Sequence, residues 1–164
     1  MGADFPTNRP GESKSERVPV EFDGQRYRQT SAHQKEWGSR LISELELRGD
    51  ESILDVGCGD GIITAQLADR VPRGRVLGID SSTGMINVAQ SNERPNLAFA
   101  LLDVNAASFA EEFDIVFSNA ALHWIKDHAK LLRILHRSLK DKGVLRVNFA
   151  ADGNCQTWFR VARS

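Results

Sequence analysis

Very little in this chain offers a covalent staple. Its two cysteines, Cys58 and Cys155, lie far apart in 164 residues, so neither a disulfide framework nor a paired metal-ligand spacing is present. No apolar run approaches the roughly 20 residues needed to cross a bilayer. The opening stretch, MGADFPTNRPGESKSERVP, lacks the apolar core of a secretory signal. These absences together predict a cytoplasmic protein. An excess of charge of one sign is missing too: 21 Lys and Arg stand against 22 Asp and Glu, a formal net charge of −1. A nucleic-acid binder is expected to carry a basic excess or a clustered basic face. The expected partner is therefore a small molecule, with no nucleic acid and no membrane.

What the chain does contain is the composition of an ordinary globular domain, 41% hydrophobic and 26% charged, at a length that suits a single core. Residues 1–24 are rich in Pro, Gly, Ser, Asn and charge and bury too little to offset their ordering entropy, which predicts a mobile tail or a lid that orders over a ligand. The remainder, 25–164, is expected to form one domain. A first helix is expected after Ser31 as its cap, with Trp37, Leu41, Ile42 and Leu45 at helical spacing and Gly49 and Asp50 as its stop. Strands are then expected at 53–56, 76–80, 97–102, 113–118 and 144–149, with helices near 62–69, 83–91 and 130–139. Gly143 stands where a left-handed helix cap is expected. This alternation predicts a doubly wound, Rossmann-like parallel sheet that binds ligands at the carboxyl ends of its strands.

The richest stretch is Leu54-Asp55-Val56-Gly57-Cys58-Gly59-Asp60-Gly61. Glycines at alternate positions after a buried strand let the backbone turn tightly and approach a ligand. The dinucleotide fingerprint needs a further glycine where this chain has Ile62, and Asp55 and Asp60 would repel a pyrophosphate. S-adenosylmethionine brings an ammonium and a sulfonium instead, and an acidic glycine loop suits it. Asp80 ends the second strand, where a carboxylate accepts hydrogen bonds from ribose hydroxyls or caps the next helix. Asp103 ends the third strand near the expected adenine edge, with Val104 or Leu102 against the ring, or it is a plain strand-end aspartate. Asn119 and Ala120, after the fourth strand, are expected to line the donor pocket. His123 is a candidate general base or a packing residue, and Trp124 either walls the substrate cavity or fills core.

These motifs in combination resemble the class I S-adenosylmethionine-dependent methyltransferases, and within them the trans-aconitate methyltransferase type, over roughly residues 25–164. The matching elements are the glycine motif at 54–61, Asp80, Asp103, FDIVFSNAALHWIKD at 113–127 and LHRSLKDKGVLRVNF at 135–149. The resemblance implies that Asp55, Gly57 and Gly59 hold the methionine end, Asp80 the ribose and Asp103 the adenine. Cys58, Gly61, Ser81, Met85 and Val104 complete the candidate donor site. An N-terminal helix covering the donor makes Tyr27, Gln34 and Trp37 further candidates. The activity implied is methyl transfer to a small-molecule acceptor, with a carboxylate as the leading acceptor. A non-catalytic donor-binding module and a nicotinamide-dependent dehydrogenase are the rival readings. The family sheet usually ends in two further strands, six and seven, for which no sequence follows. A C-terminally truncated core is therefore expected, with its fifth strand open to self-association along an exposed edge.

Overall fold

The computed structural model describes residues 32–149, with side chains from Glu36 onward. The expected tail at 1–24 and the cap expected at Ser31 lie outside the described residues. The elements run α1 (Ala32–Ser43), β1 (Ser52–Val56), α2 (Ile62–Arg70), β2 (Arg75–Asp80), α3 (Thr83–Ala89), β3 (Leu97–Leu101), β4 (Phe113–Asn119), α4 (His128–Ser138) and β5 (Leu139–Asn148). Short 3-10 turns at Gln90–Asn92, Val104–Ala106 and Leu122–Trp124 fill the connections. The five strands form one parallel sheet in the order β3-β2-β1-β4-β5. Strand order reverses between β1 and β4, and that is where an open sheet of this kind leaves a crevice at its carboxyl ends. Among the described residues no helix is long and apolar enough to cross a membrane.

β1 is the central strand, and all five of its residues are buried, as expected for a strand covered on both faces. Alternation sends Ile53 to one face and Leu54 and Val56 to the other. On the first face Ile53, Val76, Phe99, Ile115 and Phe117 cluster with Leu41 and Ile42 of α1, Ile63 and Leu67 of α2 and Ile86 of α3. On the second face Leu54, Val56, Leu77, Ile79 and Val116 cluster with Leu131 and Leu135 of α4. Phe109 and Phe113 complete that second layer, their rings edge to face at 5.2 Å. Each such side chain contributes about 1.5–3 kcal/mol through burial.

Three sequence expectations are corrected. Trp37 does not belong to the core stripe of α1: it is 61% exposed. The helix buries its neighbour Gly38 together with Leu41 and Ile42 instead. α1 also stops at Ser43, well before Gly49, and Leu45 is buried from the following irregular segment. Gly143 is not the left-handed cap of α4, because the helix ends on Leu139 in extended conformation and passes straight into β5. Leu139 pairs with Phe113, but the next pairing is Val144 with Ile115. Residues 140–143 therefore bulge out of the ladder, and Lys142 takes the left-handed conformation at φ 60.

The entry into β1 depends on a buried acid that the sequence reading did not single out. Glu51 is 4% exposed, and its two carboxylate oxygens accept from the backbone N–H groups of Arg48 at 2.6 Å and Gly49 at 3.0 Å. Glu51→Ala strands both donors in the turn that launches the central strand. The expected loss is about 2–4 kcal/mol of stability, read by denaturant unfolding; a loss under about 1 kcal/mol would contradict this role.

Candidate functional site

At the carboxyl end of β1 the chain turns through Gly57, Cys58, Gly59, Asp60 and Gly61 into α2. Gly57 (φ 73), Gly59 (φ 54) and Gly61 (φ 77) all lie in the left-handed region, which glycine enters without steric cost. Neighbouring chain leaves no room for larger residues at two of them. A Cβ on Gly57 would stand 2.2 Å from Ala121 Cβ, and one on Gly61 would stand 2.7 Å from the ring of Phe99. The loop is pinned to β2: Gly57 N–H and Cys58 N–H both donate to Ile79 O, at 2.8 and 3.1 Å. Gly59 N–H donates to Asp80 Oδ2 at 3.0 Å, and Asp80 Oδ1 accepts from Ser82 N–H at 2.9 Å. Asp80 thus ties the glycine loop to the start of α3. The helix cap itself is Ser82, whose Oγ accepts from Met85 N–H.

The site is acidic and largely buried. Asp55 is 2% exposed, and its Oδ2 accepts from Thr64 Oγ at 2.7 Å. Burial pushes its carboxyl up from 3.8 to about 7, with the Thr64 bond opposing the rise and the nearby charge of Asp80 adding to it. Burial also raises Asp80, against the backbone N–H groups of Ser82, Gly59 and Ser81 that stabilise its charge. No described cation pairs with Asp55 or Asp80. Asp60 is buried beside them, its Oδ1 accepting from Ile62 N–H at 3.3 Å. Burial pushes the Cys58 thiol well up, and the charges of Asp55, Asp80 and Asp60 add to that, so it stands as a neutral, unreactive thiol in the loop.

β4 ends at Asn119 on the same edge of the sheet. Ala120 follows in the left-handed region at φ 56, a conformation that costs a non-glycine residue energy. It is held by its N–H, which donates to Asn148 O at 2.6 Å, while Asn148 Nδ2 donates to Asn119 Oδ1 at 3.3 Å. Ala121 closes onto Gly57, so the turn after β4 and the glycine loop share one wall. The 3-10 turn beyond them is anchored by buried Leu122, whose carbonyl contacts His128 Nε2 at 3.1 Å. This presents His123 and Trp124 outward, their rings 5.0 Å apart. Trp124 is 64% exposed, which removes the reading that it fills core. His123 is exposed as well, and partial burial lowers its pKa from 6.5, keeping the ring neutral near pH 7.

The structure brings Asp55, Gly57, Cys58, Gly59, Gly61 and Asp80 together around one loop, with the turn at Asn119 and Ala120 against it. Ser81 is exposed beside Asp80, whereas Met85 is buried. Asp103 is exposed, and its Oδ1 accepts from the backbone and side-chain nitrogens of Asn105, at 2.8 and 2.9 Å. Val104 packs into the second core cluster. Tyr27 lies outside the described residues, and so does the side chain of Gln34. Thr64 was missed by the sequence reading, although a hydroxyl in the first turn of the helix after a glycine loop was the signal available. Among the described residues no three His, Cys, Asp or Glu side chains form a metal-binding group.

A dinucleotide would set its pyrophosphate against these carboxylates. An adenosyl ligand carrying an ammonium and a sulfonium supplies a countercharge that no described residue gives them, so the residues present fit S-adenosylmethionine. The comparisons agree. Residues 53–143 match the methyltransferase domain family. The chain is 45% identical over 100 residues to a trans-aconitate 2-methyltransferase of Deinococcus radiodurans, covering 61% of this chain and 38% of that protein. It is 39% identical over 115 residues to a malonyl-[acyl-carrier protein] O-methyltransferase of Acetivibrio thermocellus, covering 68% and 41%. A TehB-like SAM-dependent methyltransferase from Corynebacterium glutamicum superposes with a TM-score of 0.66 at 26% identity, over 85% of this chain and 78% of that one. The chain spans less than half the length of the curated relatives it matches. On the family match, the acidic glycine loop and the strand order together, the chain belongs to the class I S-adenosylmethionine-dependent methyltransferases.

Proposed function

We propose that this protein transfers a methyl group from S-adenosylmethionine to a carboxylate of a small acceptor. The observation that carries the reading is the pair Asp55 and Asp80, two carboxylates at the glycine loop with no cation against them among the described residues. In this reading the loop from Gly57 to Gly61, with Asp55 beneath it, holds the methionine end and its ammonium. Asp80 accepts from the ribose hydroxyls, Asp103 receives the adenine amine, and Ser81, Met85 and Val104 frame that half of the ligand. Tyr27, Gln34 and Trp37 remain candidates for the cover. The donor supplies a methyl already activated on sulfonium, so the protein's task is to align the acceptor and exclude water. Alignment of that kind is worth about 7–11 kcal/mol of barrier.

Two of the similar relatives are named for trans-aconitate and for a malonyl group on a carrier protein, and both compounds carry carboxylates. A carboxylate is ionised at neutral pH and needs no base, so His123 is reserved for a hydroxyl acceptor. We place the acceptor beside Asn119 and Ala120 and the protein in the cytoplasm. Self-association along β5, which pairs only with β4 among the described residues, belongs to the same proposal; a monomer in light scattering at high concentration would reject it. A unit that binds the donor without turnover is the second reading. Product formation with a panel of small carboxylic acids separates the two.

The first test is calorimetric titration with S-adenosylmethionine and S-adenosylhomocysteine. Micromolar binding is expected, weakened at least tenfold in Asp80→Ala; equal affinity in the variant removes Asp80 from the site. The Asp55 carboxyl makes a pH prediction. Its folded value of about 7 lies above the ordinary 3.8, so its protonation stabilises the fold in acid, and that contribution is lost as pH rises through about 7. An ammonium placed beside it favours the ionised form. Donor affinity should therefore climb from pH 6 to pH 8 with proton release, and Asp55→Asn should flatten both trends. With a carboxylate acceptor, His123→Ala should keep turnover within about threefold, whereas loss of a working general base costs about a hundredfold or more.

A further inference from the structure

A glycine in the middle of a helix is destabilising by about 0.5–1 kcal/mol relative to alanine, and α1 carries one at Gly38, on its buried side. Its surroundings explain why. A Cβ at Gly38 would stand 2.9 Å from Asn119 Nδ2 and 2.9 Å from Ile63 Cδ1. The obstacles are side-chain atoms and not backbone, with Ile63 Cγ1 a third at 3.0 Å, so the strain falls on the side chains of Asn119 and Ile63. What must move is the amide of Asn119 and the tip of Ile63. These two groups border the loop from opposite ends: Ile63 lies in the first turn of α2, and Asn119 is the last residue of β4.

The Asn119 amide has little room to retreat. Its Oδ1 is engaged by Asn148 of β5, which lies directly opposite it in the ladder. The next residue, Ala120, is held left-handed by Asn148 O, and Ala121 abuts Gly57. From these contacts we infer that Gly38 is a positioning residue of the donor site: by lacking a Cβ, it lets α1 close onto the strand ends without displacing the Asn119 amide. Helix α1 then acts as a fixed strut that sets one polar group of the site. The inference rests on the proposed reading of Asn119 as a donor-pocket residue.

The test is a double-mutant cycle on the full chain, with the dissociation constant of S-adenosylhomocysteine as the readout. Gly38→Ala should weaken binding by about tenfold while leaving the thermal midpoint unchanged or raised, since alanine is the better helix former. In the Asn119→Ala background the same substitution should cost at least threefold less affinity than in wild type, because only the Ile63 contact remains. A purely structural role for Gly38 would lower the midpoint and give no such dependence on Asn119. Affinity within twofold of wild type in Gly38→Ala, or an equal loss in both backgrounds, overturns the inference. If Gly38→Ala fails to fold, recovery of folding and binding together with Asn119→Ala supports it, and no recovery overturns it. Wild-type chain that binds neither S-adenosylmethionine nor S-adenosylhomocysteine refutes the donor reading itself and takes this inference with it. Binding by wild type without a Gly38 effect refutes the inference alone.

Discussion

The passage from β1 to α2 is made through backbone with almost no space around it, and the rest of the site is arranged about that constraint. Ala121 occupies the place where a side chain on Gly57 would be, and the Phe99 ring occupies the place at Gly61. The loop is therefore held by contact from β3 on one side and from the turn after β4 on the other. Ile79 O and Asp80 Oδ2 draw its N–H groups against β2. A side chain on Gly57 would press on the turn after β4, and one on Gly61 on β3.

That geometry places carboxylates where solvation is poorest. Asp55 keeps one hydrogen bond, from Thr64, and no cation among the described residues. Its raised proton affinity is the thermodynamic signature of a buried acid whose charge has yet to be compensated. Such a group weakens the free fold as pH rises and strengthens the attraction for a cationic ligand. Stability and binding are thus opposed at one residue. Perturbed acids in a crevice at the switch point of a parallel sheet are expected of a binding site. The neutral Cys58 thiol between them adds no competing charge.

Much of the fold was legible because its signals are local. Buried parallel strands announce themselves as short apolar runs such as 53–56 and 76–79, and their parallel direction follows from the alternation with helices. Legibility failed where a neighbour overrides local preference. Gly143 follows the rule for a helix cap, yet pairing of Leu139 with Phe113 pulls the chain into β5 early and moves the left-handed turn to Lys142. Trp37 has the right spacing for the core, but the close approach of α1 to Asn119 and Ile63 is made through the bare face of Gly38, and the indole is left outside.

The sequence by itself determined the architecture, the glycine loop and the sign of its charge, because each rests on residue types at fixed spacing along a few contiguous positions. It could name Asp55, Asp80, Asn119 and Ala120 as candidates for one site. Only the tertiary structure decided how those residues bear on each other: that Thr64 holds Asp55, that Asp80 bridges the loop to α3, that Asn148 and Gly38 confine Asn119. Those relations join positions 9, 21, 29 and 81 apart in the chain. Contacts across such separations depend on how strands register and how closely helices approach. No local pattern encodes that, because burial and steric fit are properties of the assembled core.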